Sequence, residues 1–296
     1  MKIKRSFSDT KLFDALLYTI LAFALLIVLY PLWYVTIASI SSPSDIVAGN
    51  VLFWPVNITL KAYQRVFRNS EIWIGYRNSI FYTFVGTLTN VSLTTMLAYP
   101  LSRPHFFGKK VIVAFVTFTM FFNGGMIPTY LLVRNLGLLD SMWAVILPTA
   151  VSTWNLFIMR TFFQTSIPDA LIEAASIDGA GHFQILYKIV LPLSKSIMGV
   201  MVLFYAVVHW NSYFDPMIYL SSKGKFPLQV ILRDILLMSK TSMMMESVSE
   251  GTLDQALLYE AIKYAVIFIA SIPLLIIYPF VQKYFVKGVM IGAVKG

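Results

Sequence analysis

Apolar residues run through this sequence in long blocks rather than in the three- and four-residue rhythm of a helix that buries one face. The blocks cover residues 12–40, 78–101, 111–133, 142–163, 189–220 and 261–282. Each is long enough for the about 20 residues an α-helix needs to cross the hydrocarbon core of a membrane. The pattern therefore predicts an all-α membrane protein with six transmembrane helices. Lys2, Lys4 and Arg5 precede the first block, as basic residues precede a secretory signal. Its apolar run is longer than the roughly 7–15 residues of a signal core, and Ala38-Ser39 makes a poor cleavage site. It is expected to remain as the first span.

Composition agrees. Hydrophobic residues make up 58% of the 296 residues, charged residues 12%, and the mean hydropathy is +0.74. A soluble domain carries about 25% charged residues, so a soluble enzyme, a disordered chain and a repeat solenoid are excluded. The absence of cysteine excludes a disulfide framework, a thiolate zinc site and a cysteine nucleophile. The net charge of +9 would suggest nucleic acid in a soluble protein; here it reads as the Lys/Arg bias of membrane loops. With both termini placed inside, the inner segments hold 13 basic and five acidic residues and the rest hold 10 and nine. The inner loops are short, which strengthens the bias per residue. Both termini and the segment joining spans four and five are thus expected on the cytoplasmic side.

The spans carry breakers. Pro31, Pro100, Pro128, Pro148, Pro192, Pro216, Pro273 and Pro279 fall in or at the ends of them, and Gly124-Gly125 interrupts the third. Proline removes a helical hydrogen bond, which a membrane tolerates where neighbours or cavity water satisfy the freed carbonyl.

The inner segment 160–192 reads RTFFQTSIPDALIEAASIDGAGHFQILYKIVLP. Ser166 is a candidate helix cap, with Pro168 in the first turn and Asp169 at the positive end of the dipole. The helix is expected to run to about Ile177, where Asp178-Gly179 forces a turn. A second helical stretch starts near His182 and leads into Leu191-Pro192 and the fifth span. Two short helices at an angle thus leave the membrane, and the first is expected to expose Leu171, Ala174 and Ala175. A protruding apolar, small-residue knob points to docking of another protein more than to a helix lying on lipid.

In Glu173-Ala174-Ala175, Gly179 and Ile189-x-Leu191-Pro192 the chain resembles the EAA loop of ABC importer permeases, in residues and spacing. Pro55, Thr59-Leu60 and Tyr63, the pair Trp210-Asn211, and the tail from Gln282 to Gly288 resemble the carbohydrate permeases among them. The stretch from Phe122 through Asn123-Gly124-Gly125 to Tyr130 is similar to the subgroup that imports polysaccharide fragments, such as pectin- or alginate-derived sugars.

The resemblance implies a type I importer permease fold and a subunit that is not itself catalytic. It implies a heterodimer with a second homologous permease, two ATPase subunits carrying ATP and Mg, and an extracytoplasmic binding protein that delivers an oligosaccharide. The location implied is the bacterial cytoplasmic membrane. Glu173 would pair with a basic residue of the ATPase, Ala174 and Ala175 would fill its cleft, and Asp178-Gly179 would set the angle between the two helices. This chain has no phosphate-binding loop of its own: Gly108-Lys109 and Gly224-Lys225 lack the upstream glycine and the following hydroxyl residue. Nucleotide and metal are expected on the partners.

Candidates for the sugar site are Asn123, Trp154, Asn155, Trp210, Asn211, Tyr213 and Asp215. Amides and carboxylates are costly in lipid and usually face a bundle interior, and aromatic rings cover the apolar face of a sugar. The competing reading of Trp and Tyr is an interface anchor. The outer segment 221–259 is the longest loop and is expected to reach the binding protein, unless the apolar run from Phe226 to Leu232 lays it on the membrane. Lys61, Arg65, Arg68 and Arg77 read as solvated charges before they read as a site for an acidic sugar.

The chain divides as a cytoplasmic N-terminus 1–11, a first span 12–40, an outer loop 41–77, a five-span core 78–283 and a cytoplasmic tail 284–296. One rival function is an ion-coupled secondary sugar transporter, for which only His209 and Asp215 offer intramembrane titratable groups. Another is a membrane receptor, which has no use for a coupling loop. An enzyme is disfavoured: HExxH and GxSxG are absent, and His105, His182 and His209 lie far apart.

Overall fold

The computed structural model describes residues 7–244 and 250–293. Lys2, Lys4, Arg5, Glu246 and Lys295 lie outside the described residues, and so do the side chains of the tail motif 282–288. Among the described residues every regular element is helical. In chain order these are α1 (Phe7–Ser39), α2 (Pro43–Val47), α3 (Lys61–Arg68), α4 (Ser70–Ser102), α5 (Lys109–Phe121), α6 (Met126–Asn135) and α7 (Met142–Ile146). Then come α8 (Thr153–Ser166), α9 (Asp169–Ile177), α10 (His182–Ile185), α11 (Leu191–Leu193), α12 (Lys195–Trp210) and α13 (Phe214–Tyr219). The chain closes with α14 (Leu228–Met244) and α15 (Glu250–Ala293).

Three unbroken helical stretches are long and apolar enough to cross a membrane, at Lys11–Ser39, Ser70–Ser102 and Leu257–Pro279. Three bent pairs pass the same test of length and apolarity only when each is taken together: α5 with α6 at 119°, the Met142–Thr149 stretch with α8 at 55°, and the His182–Leu193 stretch with α12 at 86°. Counting each pair as one gives the six expected spans. The fifth starts later than hydropathy places it. Residues 189–193 belong to the helix before the 86° bend, and the helix after it begins at Lys195. Segment 221–259 is not a long loop: it holds α14, and α15 already starts at Glu250.

The chain forms two compact units, Met1–Asn69 with Asp234–Ser271, and Ser70–Arg233 with Ile272–Gly296. In the first, α1 carries no charged residue after Asp14 and is exposed from Leu12 to Trp33, as suits a helix solvated by lipid. Its end is tied to the following segment: Trp33 Nε1 donates to the Phe53 carbonyl at 2.8 Å, and Tyr63 Oη meets Ser39 Oγ at 2.8 Å.

In the second unit α4 is the axis, with α8 and α12 packed along it. Its buried face is built of small and polar residues, including Gly75, Ser79, Gly86, Thr87, Asn90, Thr94 and Ala98. Within lipid, apolar contact between helices gains little over contact with acyl chains, so close approach over small residues and interhelical hydrogen bonds hold spans together. Below this face lies the apolar core of Leu101, Leu156, Met159, Phe163, Ile185, Val190 and Met201.

Candidate coupling lever and transport core

Residues 166–194 form the expected pair of short helices, with two corrections. Ser166 is the last residue of α8, not the cap of α9. Pro168 forces extended backbone on Ile167 (φ −115°, ψ 108°) and itself occupies the cap position. Ala175 is buried (9% exposed) and joins the apolar core, with Ile172 packed against it. The outward face of α9 therefore carries Leu171, Glu173 and Ala174 without Ala175. Glu173 has no hydrogen-bond or ion-pair partner among the described residues. Gly179 takes φ +81°, the left-handed conformation that ends α9, and Asp178 beside it is exposed. Ile177, Phe183 and Tyr187 are 87%, 79% and 75% exposed, so the pair presents a broad unpartnered apolar surface.

Two arginines cross at the foot of this lever. Arg103, just past α4, donates to the Phe163 carbonyl at the end of α8 (2.8 Å) and to Asp169 Oδ1 at the start of α9 (3.1 Å). In return, Arg160 of α8 donates to the Leu101 carbonyl at the end of α4 (2.9 Å). Both carbonyls are among the four that a helix end leaves unpaired.

The sugar candidates do not form one cluster. Asn123 is exposed at the bend between α5 and α6, where its Oδ1 accepts the Gly125 amide at 2.8 Å. Trp154 is 62% exposed, while its neighbour Asn155 is buried on the other side of α8. Asn211 and Tyr213 are exposed in the break between α12 and α13, and Asp215 is half-buried in α13. Trp210 is buried edge-on to Tyr76 at 6.0 Å. It alone of the seven lines a groove of about 900 Å³ walled mainly by α4 and α12.

A connected polar network lies elsewhere, between α4, α12 and the bend before α8. Asn90 Nδ2 lies 3.1 Å from His209 Nε2 and 3.4 Å from the Thr149 carbonyl. One turn along α4, Thr94 Oγ1 meets Tyr205 Oη at 2.6 Å, and that oxygen accepts the Ser152 amide at 3.1 Å. The bend at residues 150–152 frees the Thr149 carbonyl and the Ser152 amide, and side chains of α4 and α12 take them up. The signal was present: an Asn inside an apolar span, with Gly86 a turn away to admit a ring.

No protein-family model matches the chain. It is 43% identical over 286 residues to the polygalacturonan/rhamnogalacturonan transport system permease protein YtcP of Bacillus subtilis (strain 168), covering 97% of this chain and 99% of that one. It is 40% identical over 271 residues to Protein LplC of the same organism, covering 91% and 90%. A solved bacterial ABC transporter involved in the import of the acidic polysaccharide alginate has a chain that superposes with a TM-score of 0.84 at 36% identity. That match covers 96% of this chain and all of the other. The chain belongs to the permease family of ABC sugar importers. It is a multi-pass membrane protein whose role is transport rather than catalysis.

In this permease the first part of α4 is also tied to the segments around it. Asp140 accepts the amides of Ser221 and Ser222, both at 3.0 Å, and pairs with Lys225 Nζ at 2.6 Å. Asn78 donates to the Gly224 and Phe226 carbonyls, and Ser79 Oγ accepts the first amide of α14 at 2.8 Å. Lys225, then Ser222 and Ser221, hold the Asp140 carboxyl well below its ordinary 3.8. A depressed pKa stabilises the fold above the unfolded value and loses that effect as pH falls through the folded one. Amide protection over 221–228 is thus expected to be unchanged from pH 7 to pH 5 and to fall only in strong acid. Asp140→Asn is expected to lower it already at pH 7, in hydrogen-exchange measurements.

Proposed function

We propose that this permease is the transmembrane half of an ATP-driven importer that takes an oligosaccharide from an extracytoplasmic binding protein to the cytoplasm by alternating access. The observation that carries this reading is the lever: an exposed carboxylate and apolar side chains on short helices that are rigidly footed on the spans. A second homologous permease completes the pathway, and two ATPase subunits holding ATP and Mg receive the levers. Both termini and the lever face the cytoplasm of a bacterial cell, in keeping with the loop-charge bias. The groove walled by α4 and α12 suits a partner span, since its lining is largely apolar, with Leu88 and Val91 of α4 facing Met198 and Val202 of α12.

The relatives named for polygalacturonan/rhamnogalacturonan and for alginate point to an acidic oligosaccharide as cargo. Lys61, Arg65 and Arg68 are exposed on α3, in keeping with an anionic ligand or carrier at that helix, and Arg77 is exposed on α4. The test is uptake of a labelled oligogalacturonide by proteoliposomes holding the complete complex and its binding protein. Uptake is expected only with MgATP on the lever side. Uptake driven by an ion gradient without nucleotide would favour the secondary-transporter reading instead.

A further inference from the structure

The lever α9 follows α8 through Ile167 and Pro168 alone, and Ile167 is extended. A helix attached by so short a strand can swing about it unless something else holds its base. Arg103 does so. Its guanidinium is mostly buried (13% exposed), donates to Phe163 O and Asp169 Oδ1 with separate nitrogens, and lies 5.7 Å from the centre of the Tyr99 ring. Its Nε donates to Ser102 Oγ at 2.9 Å, and Lys109 Nζ donates to its carbonyl at 3.1 Å. Three elements, the ends of α4 and α8 and the start of α9, therefore meet on one planar cation. Arg160, reaching from α8 to the Leu101 carbonyl, closes the ring of contacts.

The strength does not lie in the ion pair. Asp169 is 59% exposed, and exposed pairs contribute about 0–1 kcal/mol. It lies in the fork: arginine presents fixed donors to a carbonyl and a carboxylate at once, which a lysine ammonium on a flexible stem does not reproduce. We infer that Arg103 is a positioning residue for energy coupling, locking the lever to the inner ends of the second and fourth spans so that a displacement of α9 moves both. This rests on the reading of α9 as the element that engages an ATPase.

The experiment uses the complete reconstituted complex and measures sugar imported per ATP hydrolysed, with complex recovery as a control. Arg103→Gln is expected to keep basal hydrolysis while the transport ratio drops at least about fivefold, the lower end of the usual coupling between sites. Arg103→Lys should fall between, and Asp169→Asn should reduce the ratio less, since the Phe163 bond survives. A ratio unchanged in these variants overturns the inference, even if both rates fall together as they would for a purely structural residue. If Arg103→Gln fails to assemble, Arg103→Lys and Asp169→Asn decide by the same ratio. A wild-type complex with no ATP-dependent uptake would instead remove the lever reading itself.

Discussion

Glu173→Lys is expected to abolish sugar-stimulated ATP hydrolysis in the assembled importer while leaving membrane insertion and the permease fold intact. The two outcomes separate because Glu173 is exposed on α9 and partnered by nothing among the described residues. Lysine is about as good a helix former as glutamate, so the helix itself has little to lose. What changes is the sign of the charge offered to a docking partner. A like-charge juxtaposition at an interface costs several kcal/mol, enough for a loss of about 100-fold or more in stimulated turnover. Ala174→Cys on the same outward face should crosslink to the ATPase in the wild-type background and lose that product when Glu173 is reversed. Wild-type stimulation in Glu173→Lys would show that the partner does not read this carboxylate.

The second large effect is expected at the centre of the transport core. An ideal Cβ on Gly86 would sit 2.5, 2.6 and 2.7 Å from Nε2, Cε1 and Cδ2 of His209, closer than real Cβ contacts. The imidazole cannot simply swing aside, being 4% exposed and hydrogen-bonded to Asn90. Gly86→Val therefore overpacks a close helix contact, at about 1–3 kcal/mol, and strips a buried polar pair of its partner, at about 1–3 kcal/mol more. Against a total stability of about 5–15 kcal/mol this is expected to lower the yield of monodisperse protein and its thermal midpoint in detergent. His209→Ala in the same chain should recover much of the loss, since it removes the atoms that clash. A midpoint for Gly86→Val equal to wild type, or no recovery in the double variant, would show that the ring is not what glycine accommodates.

The parts of this fold that were legible in the sequence are those fixed by solvent and by local backbone chemistry. A 33-residue helix as apolar as α1 has nowhere to go but lipid, and Gly179 marks the end of α9 because its backbone is left-handed. Directions were less legible. Hydropathy finds a segment but not its course, so residues 189–193 joined the fifth span on composition although the chain turns 86° just after them. Prolines mislead in the same way: Pro31 and Pro100 lie inside continuous helices, whereas the α5–α6 bend falls at residues 122–125, where glycines do the work. On α9 the pairs Leu171/Ala174 and Ile172/Ala175 are both apolar and one step apart. Only the packing of Ile172 and Ala175 against the core decides which pair looks outward. Sugar candidates chosen one at a time for polarity scatter over several elements, because side-chain type says nothing about convergence. The Asn90–His209 and Thr94–Tyr205 pairs join residues more than a hundred positions apart, and such pairings exist only once α4 and α12 have met.

The fourth crossing carries a consequence of that meeting. Where it bends, its loose Thr149 carbonyl and Ser152 amide are held by an amide and a phenol borrowed from neighbouring helices. Both amide hydrogens of Asn90 are already engaged, one by His209 and one by the Thr149 carbonyl, so that carbonyl has no second donor to turn to. Straightening or deepening the kink would break these bonds and strand bare peptide groups in oil, so the bend is a fixed corner whose shape is set by the helices beside it.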